Sequence, residues 1–141
     1  MRTIVLFAAV SLTSGCGGAL EPVEHGGNVV IAEAGDTVDL RFGESALLGT
    51  DGARITFTTV ESDSRCPVDV TCVWAGDAHV RITGDGLSSP AQSLDLHTGV
   101  EPVAAEFAGY RIRLIDVTPV RRENDTVRPS DYSIRLAISR G

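Results

Sequence analysis

The chain contains no lysine: its twelve basic residues are all arginine, set against nineteen acidic residues and three histidines. Chemistry that needs a lysine amine, such as Schiff-base formation, is thereby excluded. The net charge of −7 argues against nucleic-acid binding, which requires basic surface to displace counterions from phosphate. It argues equally against electrostatic attachment to anionic lipid. Aromatic residues are scarce, with a single tryptophan. Long hydrophobic runs are also missing: the apolar stretch from Ile4 to Leu12 would make a helix of roughly 14 Å, against a hydrocarbon core of about 30 Å. There is no Gly-Lys-Ser/Thr phosphate loop and no Gly-x-Ser-x-Gly elbow, and nothing in the pattern places a nucleophile beside a base. No catalytic residue and no cofactor is assigned, and the chain reads as a non-enzyme.

Cysteine is also sparse, and the placement of the three present is informative. Met1-Arg2-Thr3 followed by the apolar run and small residues has the layout of an export signal. The run ends in Thr13-Ser14-Gly15-Cys16, which resembles the lipobox of bacterial lipoproteins, in which cleavage falls just before a cysteine that carries diacylglycerol. Members of that family usually have Leu three residues before the cysteine; here Thr13 stands there, with Leu12 one place earlier. The resemblance implies a signal peptide over 1–15, lipidation at Cys16, and attachment to a membrane of the bacterial cell envelope on its extracytoplasmic side. Residues 16–28 hold Gly, Pro and charge without periodicity and read as a lipidated tether. Residues 29–141 are expected to form one domain.

From Asn28 onward the apolar period is two. Val38, Leu40 and Phe42 alternate with polar neighbours, and so do Ala78, Val80 and Ile82, then Leu94 and Leu96, then Tyr110, Ile112 and Leu114, then Tyr132, Ile134, Leu136 and Ile138. These patterns predict half-buried antiparallel strands. Ile55 and Phe57 share a parity that Val60 breaks, which predicts a bulge or a strand end. Turn residues fill Gly43 to Gly52, Gly84 to Pro90, Val100 to Gly109 and Thr118 to Ser130, the last expected to be the most mobile connection. The predicted fold is all-β, an antiparallel β-sandwich (Ig-like or related) of about seven to nine strands with one local disulfide.

That disulfide joins Cys66 to Cys72. Five intervening residues suffice for a loop whose ends reach the roughly 5.5 Å Cα separation required, and export to an oxidising compartment favours the bridge. Zinc would need a second ligand pair, and none exists. The surrounding segment, Asp63-Ser64-Arg65-Cys66-Pro67 followed by Val70, Cys72 and Trp74-Ala75-Gly76, resembles one that recurs in uncharacterised bacterial secreted and lipid-anchored proteins. The resemblance spans about forty residues, from Gly43 to Ile82, and implies an exported β-domain without assigning an activity. Trp74 shares the parity of Ala78, Val80 and Ile82 and is expected to point inward beneath the disulfide. Asp63, Arg65 and Asp69 form a possible interaction loop; alternatively Asp63 or Ser64 caps a turn and Arg65 pairs with a carboxylate.

Two copies of Asp-x-His, Asp77-Ala78-His79 and Asp95-Leu96-His97, lie on strands joined by a turn. A hairpin pairing Val80 with Leu96 and Ile82 with Leu94 inward would pair His79 with His97 and Arg81 with Asp95 outward. Two imidazoles with Asp77 nearby form a speculative divalent-metal site; a solvated sheet face with a salt bridge is the alternative. The expected function is a membrane-anchored envelope lipoprotein, a structural or protein-interaction β-domain with an envelope protein as possible partner and no nucleic acid. The alternatives are an accessory ligand- or metal-binding protein using the Asp-x-His face, and a loop-based inhibitor of secreted proteases.

Overall fold

A computed structural model describes residues 28–86 and 88–141. The expected signal peptide, Cys16 and the expected tether up to residue 27 lie outside the described residues. Among the described residues nine strands follow one another: β1 (Val29–Ala32), β2 (Thr37–Arg41), β3 (Ser45–Leu48), β4 (Ala53–Asp63), β5 (Ala78–Gly86), β6 (Ser89–His97), β7 (Ala104–Phe107), β8 (Tyr110–Thr118) and β9 (Ser133–Arg140). A single 3-10 turn, Pro129–Asp131, precedes β9. Five strands form one sheet in the order β1-β3-β4-β5-β6, and four form the other in the order β2-β9-β8-β7.

The two-residue period decides which side chains meet between the sheets. Ala78, Val80 and Ile82 of β5 and Leu94 and Leu96 of β6 point inward, to meet Val38, Leu40, Ile112, Leu114, Ile134, Leu136 and Ile138 of the other sheet in one continuous core. Each fully buried Leu, Ile or Phe contributes roughly 1.5–3 kcal/mol relative to an exposed one. The chain is therefore an all-β sandwich. The β5–β6 register is the one the alternation predicts: Val80 opposite Leu96, Ile82 opposite Leu94, His79 opposite His97 and Arg81 opposite Asp95. Val60 marks a bulge, since the β4–β5 register shifts between Phe57 and Thr59 and again between Val60 and Ser62. Another bulge, between Leu114 and Asp116, leaves Asp116 in solvent beside Ile115 and returns Val117 to the core.

Four expectations are corrected. Strands β3 and β7 lie inside stretches read as loops. Each has only four residues, and neither Ser-Ala-Leu-Leu nor Ala-Ala-Glu-Phe alternates, so the period-two signal is absent. Strand β1 pairs parallel to β3, with Val29 opposite Ser45 and Ala32 opposite Leu48, so the sandwich is not wholly antiparallel. Phe42 lies beyond the end of β2 and is partly exposed, its ring edge-on to Phe57. Trp74, expected to point inward beneath the disulfide, is instead exposed.

Strand direction sorts the connections by end. Residues 33–36, 49–52 and 108–109, with the β5–β6 turn, cap one end, called here the turn end. Residues 64–77, 98–103 and 119–132 leave the strands together at the other, the loop end.

Candidate functional site

The loop end is built around Asp63, the last residue of β4. Its side chain is 6% exposed and paired with the Arg65 guanidinium, itself 16% exposed, at 2.7 Å. Arg65 Nε and backbone N–H donate to Asp63 Oδ1 at 2.9 and 3.2 Å, and the Tyr132 hydroxyl donates to Oδ2 at 3.1 Å. Burial pushes the Asp63 carboxyl up, but these donors outweigh it and hold it below the usual carboxylate range. Burial and the adjacent carboxylate push the Tyr132 hydroxyl up, keeping it a donor. The guanidinium reaches onward to donate to the carbonyls of Val117 and Pro119. Arg121 returns the link by donating to the Asp63 carbonyl at 2.7 Å.

The segment 64–77 is held along its length. Ser64 N–H donates to the Asp77 carbonyl and Cys66 N–H to the Ala75 carbonyl, both at 2.7 Å, extending the β4–β5 ladder beyond the strands. The Cys66–Cys72 disulfide closes the tip, with Cα atoms 5.9 Å apart, and restricts the unfolded chain by about 2 kcal/mol. Gly76, at φ +73°, is obligatory: a Cβ there would lie 1.9 Å from the Ser64 carbonyl oxygen. On one flank Val68 N–H donates to the Arg121 carbonyl at 2.9 Å, and Asp69 accepts the Glu123 N–H at 3.0 Å. The connection expected to be the most mobile is thus tied to the disulfide loop. Of the possible interaction loop, Asp63 and Arg65 face inward as a brace, while Asp69 is exposed and engaged with Glu123.

The residues that do project are apolar. Trp74 is 81% exposed and Val73 97%, which overturns the inward placement of the tryptophan. Strand β5 begins only at Ala78, and the left-handed turn at Gly76 breaks the parity that would have carried Trp74 inward.

On the other flank stands the Asp-x-His face. The imidazoles of His79 and His97 stack, with centroids 4.5 Å apart and planes 11° from parallel. Each is held by the other strand's acidic residue. His79 Nε2 lies 2.9 Å from Asp95 Oδ1, and His97 Nδ1 lies 2.6 Å from Asp77 Oδ2. Arg81 bridges Asp95 at 3.0 Å and Glu61 at 2.7 Å. The bond from His79, opposed by burial and helped by Arg81, holds the Asp95 carboxyl below its ordinary value. Burial raises Asp77, but His97 and the N–H of Gly99 more than offset it, leaving the carboxyl below its usual range. Asp77 Oδ1 accepts the N–H groups of Thr98 and Gly99 at 3.0 and 2.7 Å, fastening the 98–103 loop to the disulfide loop.

Stacked, near-parallel rings keep their in-plane lone pairs in two separate planes. Two imidazoles sharing one ion at about 2.0–2.1 Å would have to converge on it. Among the described residues no group of three or more His, Cys, Asp and Glu is arranged to hold a metal ion. The role of Asp77 here is to fasten loops. Hollows at the turn end, lined by residues such as Gly52, Arg54, Asp85 and Pro90, include no histidine or cysteine.

Tyr132, Arg121, Thr98 and Gly99 complete the brace and were not singled out from sequence. Arg121 and Tyr132 lie more than fifty residues from Asp63, beyond any local spacing rule. The one available signal was the parity of Tyr132, which marked it as buried while leaving its hydroxyl to find a partner. Comparison of the chain with protein-family models, with curated proteins and with solved structures finds no match in any of the three.

Proposed function

We propose that the chain is a bacterial envelope lipoprotein, attached to the membrane by lipid on Cys16, whose β-sandwich is a non-enzymatic module for binding another envelope protein. The observation that carries the interaction reading is the loop end: three connections are cross-braced by a largely buried ion pair, carboxylate-held N–H groups and a disulfide, yet the tip they support, Val73-Trp74, touches little of the domain itself. Rigid loops on a β-scaffold are where binding surfaces concentrate, and a braced tip loses little conformational entropy on docking. The acidic balance supports lipid rather than surface charge as the means of attachment, since several acyl chains at about 0.8 kcal/mol per buried CH₂ hold a protein without electrostatic help.

Expression of the full chain with labelled palmitate tests the attachment. The wild type is expected to carry label and sediment with membranes, and Cys16→Ser to lose both while keeping its fold. Equal sedimentation and absent label in both proteins would sink the lipoprotein reading. Crosslinking in the source membranes, followed by purification, tests the interaction: one reproducible stoichiometric partner is expected.

A further inference from the structure

We propose that the Val73-Trp74 tip is the anchor of a docking surface for a protein whose apolar cleft is edged by Lys and Arg. This rests on the interaction reading above and names the surface and the chemistry of its partner.

The first support is where exposed apolar side chains fall. Of the nine exposed large apolar side chains among the described residues, five, Val68, Val73, Trp74, Val100 and Val120, lie on the three loops of the loop end, and the other four, Ile31 of β1 among them, lie apart from it. The loops are contiguous: Val68 is bonded through its N–H to Arg121, next to Val120. On the opposite flank Gly99, next to Val100, lies so close to Gly76 that a Cβ would stand 2.4 Å from the Gly76 carbonyl oxygen. The disulfide loop therefore stands centrally with an apolar residue on either side. Tryptophan at the centre of such a patch is the residue type most enriched among dominant binding contacts.

The second support is the charge around the tip. Asp69, Glu101, Glu123 and Asp125 are exposed on these loops, against the exposed Arg122; the exposed Arg128 is paired with Asp131, Arg65 is committed to Asp63 and Arg121 is half-buried against the Asp63 carbonyl. An apolar tip with an acidic rim complements an apolar cleft with a basic rim. It is repelled by the negative surface of an anionic bilayer, so the surface fits protein rather than lipid, although tryptophan suits either.

The test places a benzophenone amino acid at Val73, at Ile31 on the exposed edge strand, or at the exposed Gln92 of β6, in the full chain in membranes of the source bacterium. Mass spectrometry identifies the crosslinked species, and a protein so identified is purified and titrated with the full chain. The proposal expects one protein from position 73 alone, crosslinked at a cleft bearing Lys or Arg. Trp74→Ala should weaken it at least roughly thirtyfold, Val73→Asp should weaken it too, and added salt should slow association. Both variants should keep the wild-type unfolding midpoint, because both side chains are exposed.

Crosslinks to lipid from position 73, with a blue shift of Trp74 fluorescence on vesicles of phosphatidylethanolamine and phosphatidylglycerol, would overturn the proposal in favour of membrane contact. Protein crosslinks only from Ile31 or Gln92 would keep an interaction module and overturn the loop end as its surface. No protein crosslink from any position would overturn both readings.

Discussion

At the turn end, strands are joined by short reversals such as 49–52 and 108–109, and the side chains beneath are apolar or aromatic. At the loop end the chain runs through 64–77, 98–103 and 119–132, and the supports are an ion pair, carboxylate-held N–H groups and a disulfide. The same core serves both ends, so the difference lies in what each connection must do. A two-residue turn needs only the right backbone angles. A long loop that stays ordered while exposing a tryptophan needs partners for its backbone polar groups, because they have no strand to pair with. The loop end therefore draws its stability from polar contacts between segments far apart in sequence, and should respond to perturbation differently from the turn end.

The sharpest contrast is between two glycines with nearly the same backbone. Gly76 has φ +73° and Gly109 has φ +76°, but a Cβ at Gly76 would strike the Ser64 carbonyl at 1.9 Å, whereas at Gly109 nothing lies within 4 Å. Gly109→Ala should cost about 1–2 kcal/mol, the strain of an L residue in the left-handed region alone. Gly76→Ala adds displacement of the 64–66 backbone and should cost about 3–4 kcal/mol. Urea unfolding of both variants measures the difference, and equal losses would show the loop end to be no more tightly built than a turn.

Next in size is the Asp63 brace. Asp63→Ala leaves the Arg65 guanidinium half-buried without its carboxylate and should cost about 3 kcal/mol. The same group makes the loop end acid-sensitive. Its folded pKa is depressed below an unfolded value near 3.9, so its contribution is complete above that value. As pH falls toward the folded value the unfolded chain binds the proton first, and the contribution is lost. Asp77 and Asp95, also depressed, act in the same direction. The urea midpoint should drop between about pH 5 and about pH 3, and Asp63→Asn should flatten part of that drop. An unchanged slope in the variant would remove Asp63 from the acid response.

How much of this was legible in the sequence follows the same division. Strands β5, β6, β8 and β9 were legible from their alternation, and for the β5–β6 pair it extended to the register, down to His79 opposite His97. There each side chain's facing depends on its neighbours two residues away, which is local information. Strands β3 and β7 were too short and too uniform to carry a period. Trp74 failed because the parity was extended across Gly76, where the backbone leaves the pleat. At the candidate site, the disulfide and the Asp63–Arg65 pair lie within a few residues and could be anticipated. Tyr132, Arg121 and Glu123 arrive from the last long loop by way of the fold and leave no trace in local spacing.

The smallest expected effect lies at the turn end. Tyr110 is fully buried at the start of β8, its ring 4.4 Å from the Arg140 guanidinium. Its hydroxyl, packed where a Cβ on Gly49 would stand 2.2 Å away, has no hydrogen-bond partner among the described residues. A buried hydroxyl without a partner carries a desolvation cost, so Tyr110→Phe should change stability by less than about 1 kcal/mol and in the stabilising direction. Tyr132→Phe removes a hydroxyl that donates to Asp63 at 3.1 Å and should destabilise by about 1–2 kcal/mol. The two substitutions delete the same atom from the same residue type, one at each end. Opposite signs in urea unfolding would mean that hydroxyls are held in place by polar partners at the loop end and only by packing at the turn end. Equal losses would mean instead that Tyr110 has a partner too, and that the turn end is not the simpler of the two.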